Sequence, residues 1–337
     1  MKLADHRLFG RTGLRVHPLA LGCLNFGGRT TREESLRIID RALDAGINVV
    51  DTANGYARGR SEELVGEALV RNGRRHEVIL CTKFYMPMDD NLPNERGISR
   101  RHLIAQCEQS LRRLGTDYID LYQVHRPQSE VAIDETLRAL DDLVRAGKVR
   151  YIGSSTFAAW QVVEALWVSK ELGLNRFVSE QPPYNLLDRR IERELIPVAQ
   201  TYSLALMAWS PMAGGLLTGK YERNQPMPEN SRYAAPTPVQ ARHLTPKIYD
   251  AVDALLPLAQ AQGLSLGLFA LAWTLQNPAV TCSILGPRTL EHLEQCLGIL
   301  AIQFTNEELT RIDRIIPPGT HVAPIYEADF GAWKHRG

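Results

Sequence analysis

The chain of 337 residues is 44% hydrophobic, and its 39 Lys and Arg residues nearly balance its 38 Asp and Glu residues, for a net charge of +1. This apolar share suffices for a large core, and the length suits either two ordinary domains or one α/β barrel. The balanced charge gives no electrostatic reason to expect binding to nucleic acid or to an anionic membrane.

Neither a secretory signal nor a membrane span is visible in the sequence. Residues 1–10 lack an apolar segment, and the most apolar stretch, residues 264–275, is shorter than the run of about 20 that a bilayer requires. That stretch predicts a buried helix capped by Ser265. None of the five cysteines forms a C-x-x-C pair, so buried reduced thiols are expected rather than a metal site or disulfides. We therefore expect a cytoplasmic protein.

Short apolar runs alternate with amphipathic helical patterns along the whole chain. Eight runs are typical of strands, at residues 19–21, 47–50, 78–82, 119–124, 149–153, 177–180, 204–208 and 281–285. Most of their ends are spaced by about 30 residues, the length of one βα unit. Strict alternation implies a parallel sheet, and eight units favour a closed (β/α)8 TIM barrel. The absence of a G-x-G-x-x-G after the first run argues against a Rossmann domain.

Three regions interrupt this alternation. Residues 6–16 predict a β-hairpin able to cover the bottom of the barrel. Residues 221–246, rich in Pro, Asn and Ser, predict a long loop. After the eighth strand come two helical patterns, residues 290–300 and 307–316, and a tail with Tyr326, Phe330 and Trp333. The loop and the tail could both act as lids. Alternatively, the loop is disordered and the tail packs on the surface. We expect one domain over residues 1–337.

Ionisable side chains follow three successive strands. Asp51, Lys83 and His125 end the second, third and fourth apolar runs, and Tyr56 follows in the loop after the second. In a parallel barrel the C-terminal strand ends form the active-site face. The four side chains are therefore predicted neighbours despite their separation in sequence.

As a set, these four groups suit proton transfer to a carbonyl oxygen. A free tyrosine has a pKa of about 10, and a nearby Lys83 ammonium is expected to lower that of Tyr56. Asp51 would keep Lys83 charged, and His125 would donate a hydrogen bond to the carbonyl oxygen. Tyr56 would then protonate that oxygen.

Each residue alone also has another explanation. Lys83 could form a Schiff base, as in barrel aldolases, and Tyr56 could simply pack. His125 could be a core histidine or a metal ligand, although no second histidine or cysteine has ligand spacing with it. Only the set of four argues for catalysis, and no metal is expected.

Reduction also needs a hydride donor, which no side chain supplies. Ser155, Thr156 and Gln181 follow the fifth and sixth strands and could hold a carboxamide, while Trp209 could stack on a ring. The small-residue loop 210–219 could approach a pyrophosphate. The candidate cofactor contacts in and just after this loop are Ser210, Pro211, Gly215, Leu216 and Lys220. Those after the eighth strand are Gly286 and Arg288. Arg288 would favour the 2′-phosphate of NADP over NAD.

At this point the chain resembles the aldo-keto reductase superfamily, from Gly10 to about Leu300. The carrying motifs are Asp51-Thr52-Ala53…Tyr56 with Ser61-Glu62 and Gly66, Thr82-Lys83, Asp120-Leu121-Tyr122…His125-Arg126-Pro127, and Trp209-Ser210-Pro211 with Gly215-Leu216-Leu217-Thr218-Gly219-Lys220-Tyr221. The resemblance implies a TIM barrel, an NADPH site and a catalytic tetrad of Asp51, Tyr56, Lys83 and His125. The last motif is closer to the bacterial and potassium-channel β-subunit branches than to the human aldose reductase branch.

Four positions depart from the family pattern. Ala57 follows the tyrosine where many members have glycine, and Thr156 stands where asparagine usually holds the nicotinamide carboxamide. His292 and Cys296 occupy positions where the related branches place glutamine and an adenine-contacting asparagine. The resemblance thus makes both of them cofactor-contact positions with unusual side chains.

The function expected from the sequence is NADPH-dependent reduction of an aldehyde or ketone, with Tyr56 as proton donor. The alternative is a redox-sensing regulatory subunit that binds NADPH and turns over little. The pocket for a small carbonyl substrate is expected to include Asn25, Phe26, Phe84 and Tyr85, which follow the first and third strands. The sequence does not specify the substrate or the oligomeric state.

Overall fold

The computed structural model describes residues 6–229, 231–234, 236–237, 241, 243–322 and 326. Eight consecutive parallel strands, β3 to β10, pair in chain order, and β10 closes the barrel against β3. This confirms the predicted (β/α)8 barrel. The strands are β1 (Arg7–Leu8), β2 (Arg15–Val16), β3 (Leu19–Gly22), β4 (Val49–Asp51), β5 (Ile79–Phe84), β6 (Ile119–Val124), β7 (Val149–Ser155), β8 (Phe177–Gln181), β9 (Ala205–Ala208) and β10 (Val280–Leu285).

Helices follow the barrel strands and surround them. They are α1 (Arg32–Asp44), α2 (Arg60–Asn72), α3 (Arg100–Leu114), α4 (Ile133–Arg145), α5 (Ala159–Leu172), α6 (Leu195–Tyr202), α7 (Pro246–Ala261), α8 (Leu266–Thr274), α9 (Leu290–Leu297) and α10 (Asn306–Ile315). The predicted buried helix is α8, and the Ser265 side chain caps it by accepting from the Leu268 amide. The two predicted C-terminal helices are α9 and α10.

The barrel interior is apolar at its lower end and polar at its upper end. The lower layer is a separate cluster that includes Ala20, Val49, Ile79 and Cys81, while the larger core lies between the strands and the helices. Because side chains alternate along a strand, the last inward positions of several strands reach the barrel mouth, the end at which the strands terminate. Polar residues occupy these mouth positions.

The N-terminal hairpin closes the lower end, as predicted. β1 and β2 pair antiparallel, and Phe9 between them is fully buried in the lower layer. The Arg7 guanidinium donates to the carbonyl oxygens of Val280 (2.5 Å) and Leu275 (3.2 Å), which lie at the N-terminal side of β10. The hairpin leaves the barrel mouth as the open end.

Some predictions about connections need qualification. Helix α7 was not predicted. Pro246 occupies its first turn, where proline is tolerated, but Pro257 lies in its interior, where proline normally breaks a helix. In the predicted tail, Phe330 and Trp333 lie outside the described residues. All five cysteines are free and buried. Among the described helices none is by itself long and apolar enough to span a bilayer; α7 and α8 reach that composition only as a pair bent by 89°.

Candidate active site

The structure brings the four predicted catalytic residues together at the barrel mouth. The Lys83 ammonium donates to Asp51 Oδ2 (2.5 Å) and to the Thr52 carbonyl oxygen (2.8 Å), and both charged side chains are almost fully buried. Lys83 Nζ lies 5.1 Å from the centre of the Tyr56 ring. The Tyr56 and His125 rings meet edge to face, with centroids 5.7 Å apart. Contacts therefore link all four side chains.

Two glutamines complete the environment of Asp51. Its second oxygen, Oδ1, accepts hydrogen bonds from Gln181 Nε2 (2.9 Å) and from Gln123 Nε2 (3.3 Å). Gln181 was predicted to contact a cofactor, whereas Gln123 was missed. The signal was present, because Gln123 lies two residues before His125 and must share its face of β6.

The charge of Lys83 is stabilised, and Tyr56 retains its proton. Burial opposes the Lys83 charge, but the Asp51 carboxylate and the Tyr56 hydroxyl outweigh it and raise the pKa of Lys83. Burial raises the pKa of Tyr56, while the Lys83 charge and a hydrogen bond from Lys83 offset part of that rise. The expected lowering of the tyrosine pKa is therefore not found in the resting site. Tyr56 is a protonated phenol at neutral pH.

His125 is neutral at physiological pH. Burial, the Lys83 charge and the Arg126 charge hold its pKa well below the ordinary value. Its Nδ1 atom is buried and has no hydrogen-bond partner among the described residues. A neutral imidazole can still donate one hydrogen bond, which is the role expected toward a carbonyl oxygen.

The turn after Tyr56 is held in an unusual backbone conformation. Ala57 (φ 46°, ψ 38°) and Arg58 (φ 53°, ψ 44°) are both left-handed, and Gly59 continues with φ 93°. Each non-glycine residue in this region costs about 1 kcal/mol or more. Arg58 also pairs at 2.6 Å with Asp90 in the neighbouring loop after β5, where both side chains are exposed. A glycine at position 57 would relieve strain that this chain retains next to its candidate acid.

The candidate carboxamide-binding residues lie beside the tetrad. The Ser155 hydroxyl donates to the Gln181 carbonyl oxygen (2.9 Å), and the Thr156 hydroxyl donates to the Ser155 carbonyl oxygen (2.7 Å). Thr156 adopts φ 60°, a conformation that asparagine tolerates better than threonine. Trp209 follows β9 and is half-buried. Both hydroxyls can still accept a hydrogen bond, so these residues fit an amide at the mouth.

The small-residue loop forms a tight backbone cradle after β9. Ser210 Oγ accepts from the Gly214 amide (2.9 Å), and Gly214 and Gly215 have φ of 65° and 102° within the turn Ala213–Thr218. Pro211 and Leu216 are buried beneath it. The amides of Ala213, Gly214 and Gly215 already donate within the turn, so what the two glycines offer a ligand is close approach to the backbone.

A basic cluster borders this cradle, and only two of its members, Lys220 and Arg288, were predicted. Burial and the like charges of Arg29 and Arg288 lower the pKa of Arg232, so three guanidinium groups share one region. Arg232 Nη1 is 3.4 Å from where a Cβ on Gly214 would lie, and Lys220 Nζ is 3.5 Å from the equivalent point on Gly215. A concentration of positive charge of this kind favours the binding of an anionic ligand.

Unsatisfied hydroxyl groups lie in the same region. Tyr221 and Ser231 each bury a side-chain oxygen that has no partner among the described residues. The Tyr221 oxygen is 3.6 Å from the Cβ position of Gly215. Buried polar atoms normally have partners, so these donors fit a phosphate-bearing ligand. Arg29, Arg232, Tyr221 and Ser231 were not predicted because no local motif identifies them.

The remaining candidate cofactor contacts lie after β10. The Asn25 side chain donates to the Gly286 carbonyl oxygen (3.0 Å) and so joins the loops after β3 and β10. His292 is exposed, and its amide donates to the Thr289 side chain that caps α9. Cys296 is buried on α9. The positions of Gly286 and His292 suit ligand contact, whereas Cys296 has little exposed surface.

The predicted substrate pocket needs correction. Phe26 and Phe84 are fully buried in the core between strands and helices. Phe84 follows the inward-facing Lys83, so alternation turns it outward, where its ring packs 4.8 Å from that of Tyr122. Tyr85 is half-buried, and Asn25 joins two loops instead of lying free. Of the two predicted phenylalanines, neither has surface to offer a substrate.

Within the described part of the chain, no group of three or more His, Cys, Asp or Glu side chains is placed to hold a metal ion. The candidate site consists of a buried ion pair, a phenol and a neutral imidazole, with the backbone cradle and the basic cluster beside them. Such a set can transfer a proton to an oxygen and bind a phosphate-bearing cofactor.

Comparison with known proteins agrees with this arrangement. The model of the Aldo/keto reductase family matches residues 18–317. A Bacillus subtilis protein named as an uncharacterized oxidoreductase is 39% identical over 96% of this chain and 99% of its own length. An Oryza sativa protein named as a probable voltage-gated potassium channel subunit beta is 35% identical over 93% and 96%. The Aspergillus parasiticus versiconal hemiacetal acetate reductase is 33% identical over 94% and 98%. The chain belongs to the aldo/keto reductase family.

Proposed function

We propose that this protein is an NADPH-dependent carbonyl reductase in which Tyr56 donates the proton. Membership of the family makes it an oxidoreductase that acts on carbonyl or alcohol groups. The choice of cofactor and the proton donor are the proposed part. The observation that carries it is the contact of Tyr56 with both Lys83 and His125, beside the Asp51 carboxylate.

Each residue has a separate role in the proton transfer to the carbonyl oxygen. Neutral His125 donates a hydrogen bond that orients this oxygen and stabilises the negative charge developing on it. Tyr56, whose pKa burial raises, holds its proton until that charge develops and then transfers it. The Lys83 ammonium, held by Asp51, stabilises the phenolate that remains. Bound NADPH would supply the hydride to the carbonyl carbon.

The basic cradle supports NADPH as the partner in this reaction. Arg29, Arg232 and Arg288 share one region, beside glycines that admit close approach. The 2′-phosphate of NADP brings additional negative charge, which guanidinium groups bind by paired hydrogen bonds. We therefore expect NADPH to bind more tightly than NADH.

The environment of Lys83 disfavours the Schiff-base alternative. A lysine that attacks a carbonyl must be a neutral amine. Asp51 and Tyr56 instead raise the pKa of Lys83 despite its burial, so the ammonium form persists at neutral pH. Its donors are also directed to Asp51 and to the Thr52 carbonyl oxygen.

Substitution of Tyr56 by phenylalanine tests the proposal. Tyr56→Phe removes only the hydroxyl, so kcat/KM for aldehyde reduction should fall by about a hundredfold to ten-thousandfold, the range for a lost general acid. NADPH binding, measured by quenching of protein fluorescence, should be unchanged. Tyr118→Phe is the matched control, because Tyr118 precedes β6 at the opposite end of the barrel. Undiminished turnover in Tyr56→Phe would show that another group supplies the proton.

A second candidate is an NADPH-binding regulatory subunit with slow turnover. The observation in its favour is the similarity to proteins named as potassium-channel β subunits from Oryza sativa and Schizosaccharomyces pombe, at 35% and 36% identity. Many turnovers of a simple aldehyde with free NADPH would favour the reductase. A single turnover followed by slow release of the oxidised cofactor would favour the regulatory subunit.

A further inference from the structure

Arg126 is a half-buried cation at the barrel mouth, directly after His125. Within the described residues, no carboxylate lies within 4.0 Å of its guanidinium group. Two other arginines at this end of the barrel have carboxylate partners: Arg58 pairs with Asp90, and Arg189 with Glu192. A partly desolvated cation with no carboxylate partner among the described residues is suited to binding an anionic ligand.

Tyr326 holds this guanidinium over the mouth. The Arg126 guanidinium carbon lies 4.2 Å from the centre of the Tyr326 ring, whose edge-to-face contact with Trp209 has a centroid distance of 6.2 Å. Arg126 follows β6 and Trp209 follows β9, and two strands, β7 and β8, separate them in the barrel. A ring that contacts both must therefore cross the mouth.

The chain before Tyr326 is fastened to the loop after β8. The Val322 amide donates to the Leu187 carbonyl oxygen (2.8 Å), and the Arg189 amide donates to that of Thr320 (2.9 Å). The Arg190 guanidinium donates to the Tyr326 carbonyl oxygen (2.8 Å). These bonds give the aromatic platform a defined position.

Stacking leaves the hydrogen-bonding edge of Arg126 available. A guanidinium stacks through its flat face, whereas its N–H groups point outward in the same plane. That edge matches the two oxygens of a carboxylate. The charge is also felt at the reacting centre, because Arg126, after burial and Lys83, helps to lower the pKa of His125.

We propose that Arg126, on its Tyr326 platform, binds a carboxylate of the substrate, so that the preferred substrates are aldehydes or ketones that carry a carboxylate group. The inference rests on the proposed carbonyl reduction and specifies its substrate class. The carbonyl oxygen lies against Tyr56 and His125, while the carboxylate pairs with Arg126 nearer the opening. Lys83 cannot take this role, because Asp51 already neutralises it.

The test compares two aldehydes that differ in charge. Para-carboxybenzaldehyde and its methyl ester have similar reactivity at the aldehyde, but only the first is an anion at neutral pH. With NADPH, the wild-type protein should show a higher kcat/KM for the acid, mainly through a lower KM. Arg126→Met should lower the ratio of the two kcat/KM values by about tenfold or more, equivalent to about 1.4 kcal/mol. Any effect of the lost charge on His125 acts on both substrates and cancels in the ratio.

Two further variants make the test specific. Arg150→Met removes the same charge from an arginine that also stacks on a tyrosine, Tyr118, at 4.4 Å, but at the opposite end of the barrel. It should leave the ratio unchanged. Tyr326→Leu removes the platform but keeps Arg126, and should lower the ratio by less than Arg126→Met does, while Tyr326→Phe should preserve it.

The outcomes separate this inference from the proposed function. Equal wild-type kcat/KM values for the acid and the ester, or a ratio that Arg126→Met does not change, would overturn the carboxylate site and leave carbonyl reduction standing. Reduction of neither aldehyde would contradict both proposals. The wild-type comparison does not depend on any variant folding.

Discussion

Adjacent residues of strand β5, Lys83 and Thr82, contact two different ion pairs on its two faces. Lys83 points into the barrel and pairs with Asp51. Thr82 points toward the helices, where its hydroxyl donates to Glu62 Oε1 (2.6 Å), and Arg113 donates to Glu62 Oε2 (2.6 Å). The Asp51 and Glu62 carboxylates are equally inaccessible, with side chains 3% and 0% exposed. Burial of a charge therefore does not distinguish the proposed catalytic pair from a structural one.

What distinguishes them is the surroundings that each face of the strand provides. The inner pair contacts Tyr56, which is partly exposed at the mouth. The outer pair links α2 and α3 to β5, with Glu62 fully buried and the Arg113 side chain 15% exposed. Strand β8 repeats the pattern, with Gln181 turned inward to Asp51 and Glu180 turned outward to Ser154. The alternation of a strand thus separates reactive groups from structural ones at adjacent positions.

The largest expected effect comes from removing the inner cation. Lys83→Met should lower kcat/KM by about a thousandfold, because Tyr56 loses the charge that stabilises its phenolate. It should also destabilise the fold by about 3–5 kcal/mol, because Asp51 is left buried without its ion partner. Steady-state rates and urea unfolding measure the two effects. Wild-type turnover in a folded Lys83→Met protein would contradict the role given to the inner pair.

The outer pair should affect stability alone. Among the described residues, Arg113→Met leaves the buried Glu62 carboxylate with Thr82 as its remaining side-chain partner, so the free energy of unfolding should fall by about 3 kcal/mol. The kcat of the folded protein should stay at the wild-type value. Adding Glu62→Gln should recover part of the lost stability, because it removes the unpaired charge. A large loss of kcat in Arg113→Met would show that the two faces are coupled.

Patterns that are local in sequence predicted most of the barrel. Apolar runs at regular spacing gave all eight barrel strands, and the rule that strand ends share one face brought Asp51, Tyr56, Lys83 and His125 together. Helix α7 was missed because Pro257 inside it normally breaks a helix. The strands were predicted well because each of them is a single apolar run.

The rest of the site depends on contacts between distant segments. Arg232 was missed because its role follows from partners across the mouth, which no single segment encodes. Gln123 was missed although its spacing from His125 places it on the inward face of β6. Phe84 was misplaced although alternation with Lys83 would have turned it outward. The pKa of Tyr56 was expected to fall because the attraction of Lys83 was considered without the opposing cost of burial.

The last effect is a dependence of stability on pH, and it concerns the outward carboxyl group of β8. Burial raises the pKa of Glu180 to about 8 from an ordinary 4.5, although hydrogen bonds from Ser154 and nearby amides oppose the rise. Between these pH values the folded state holds the proton more firmly than the unfolded chain does. The contribution of Glu180 to stability is therefore full below about pH 4.5 and is lost as the pH rises toward 8.

Glu180→Gln should remove this pH dependence. The amide mimics the protonated carboxyl: it can accept from the Phe157 amide and donate to Ser154. Relative to wild type, the variant should gain up to about 1.4 kcal/mol per pH unit between pH 5 and 8, as measured by urea unfolding at several pH values. Because both proteins keep His125, whose lowered pKa acts in the opposite direction, the difference isolates Glu180. Parallel stability profiles for the two proteins would mean that Glu180 is already ionised in the folded state. The outward face of β8 would then hold a buried carboxylate that has no cation partner.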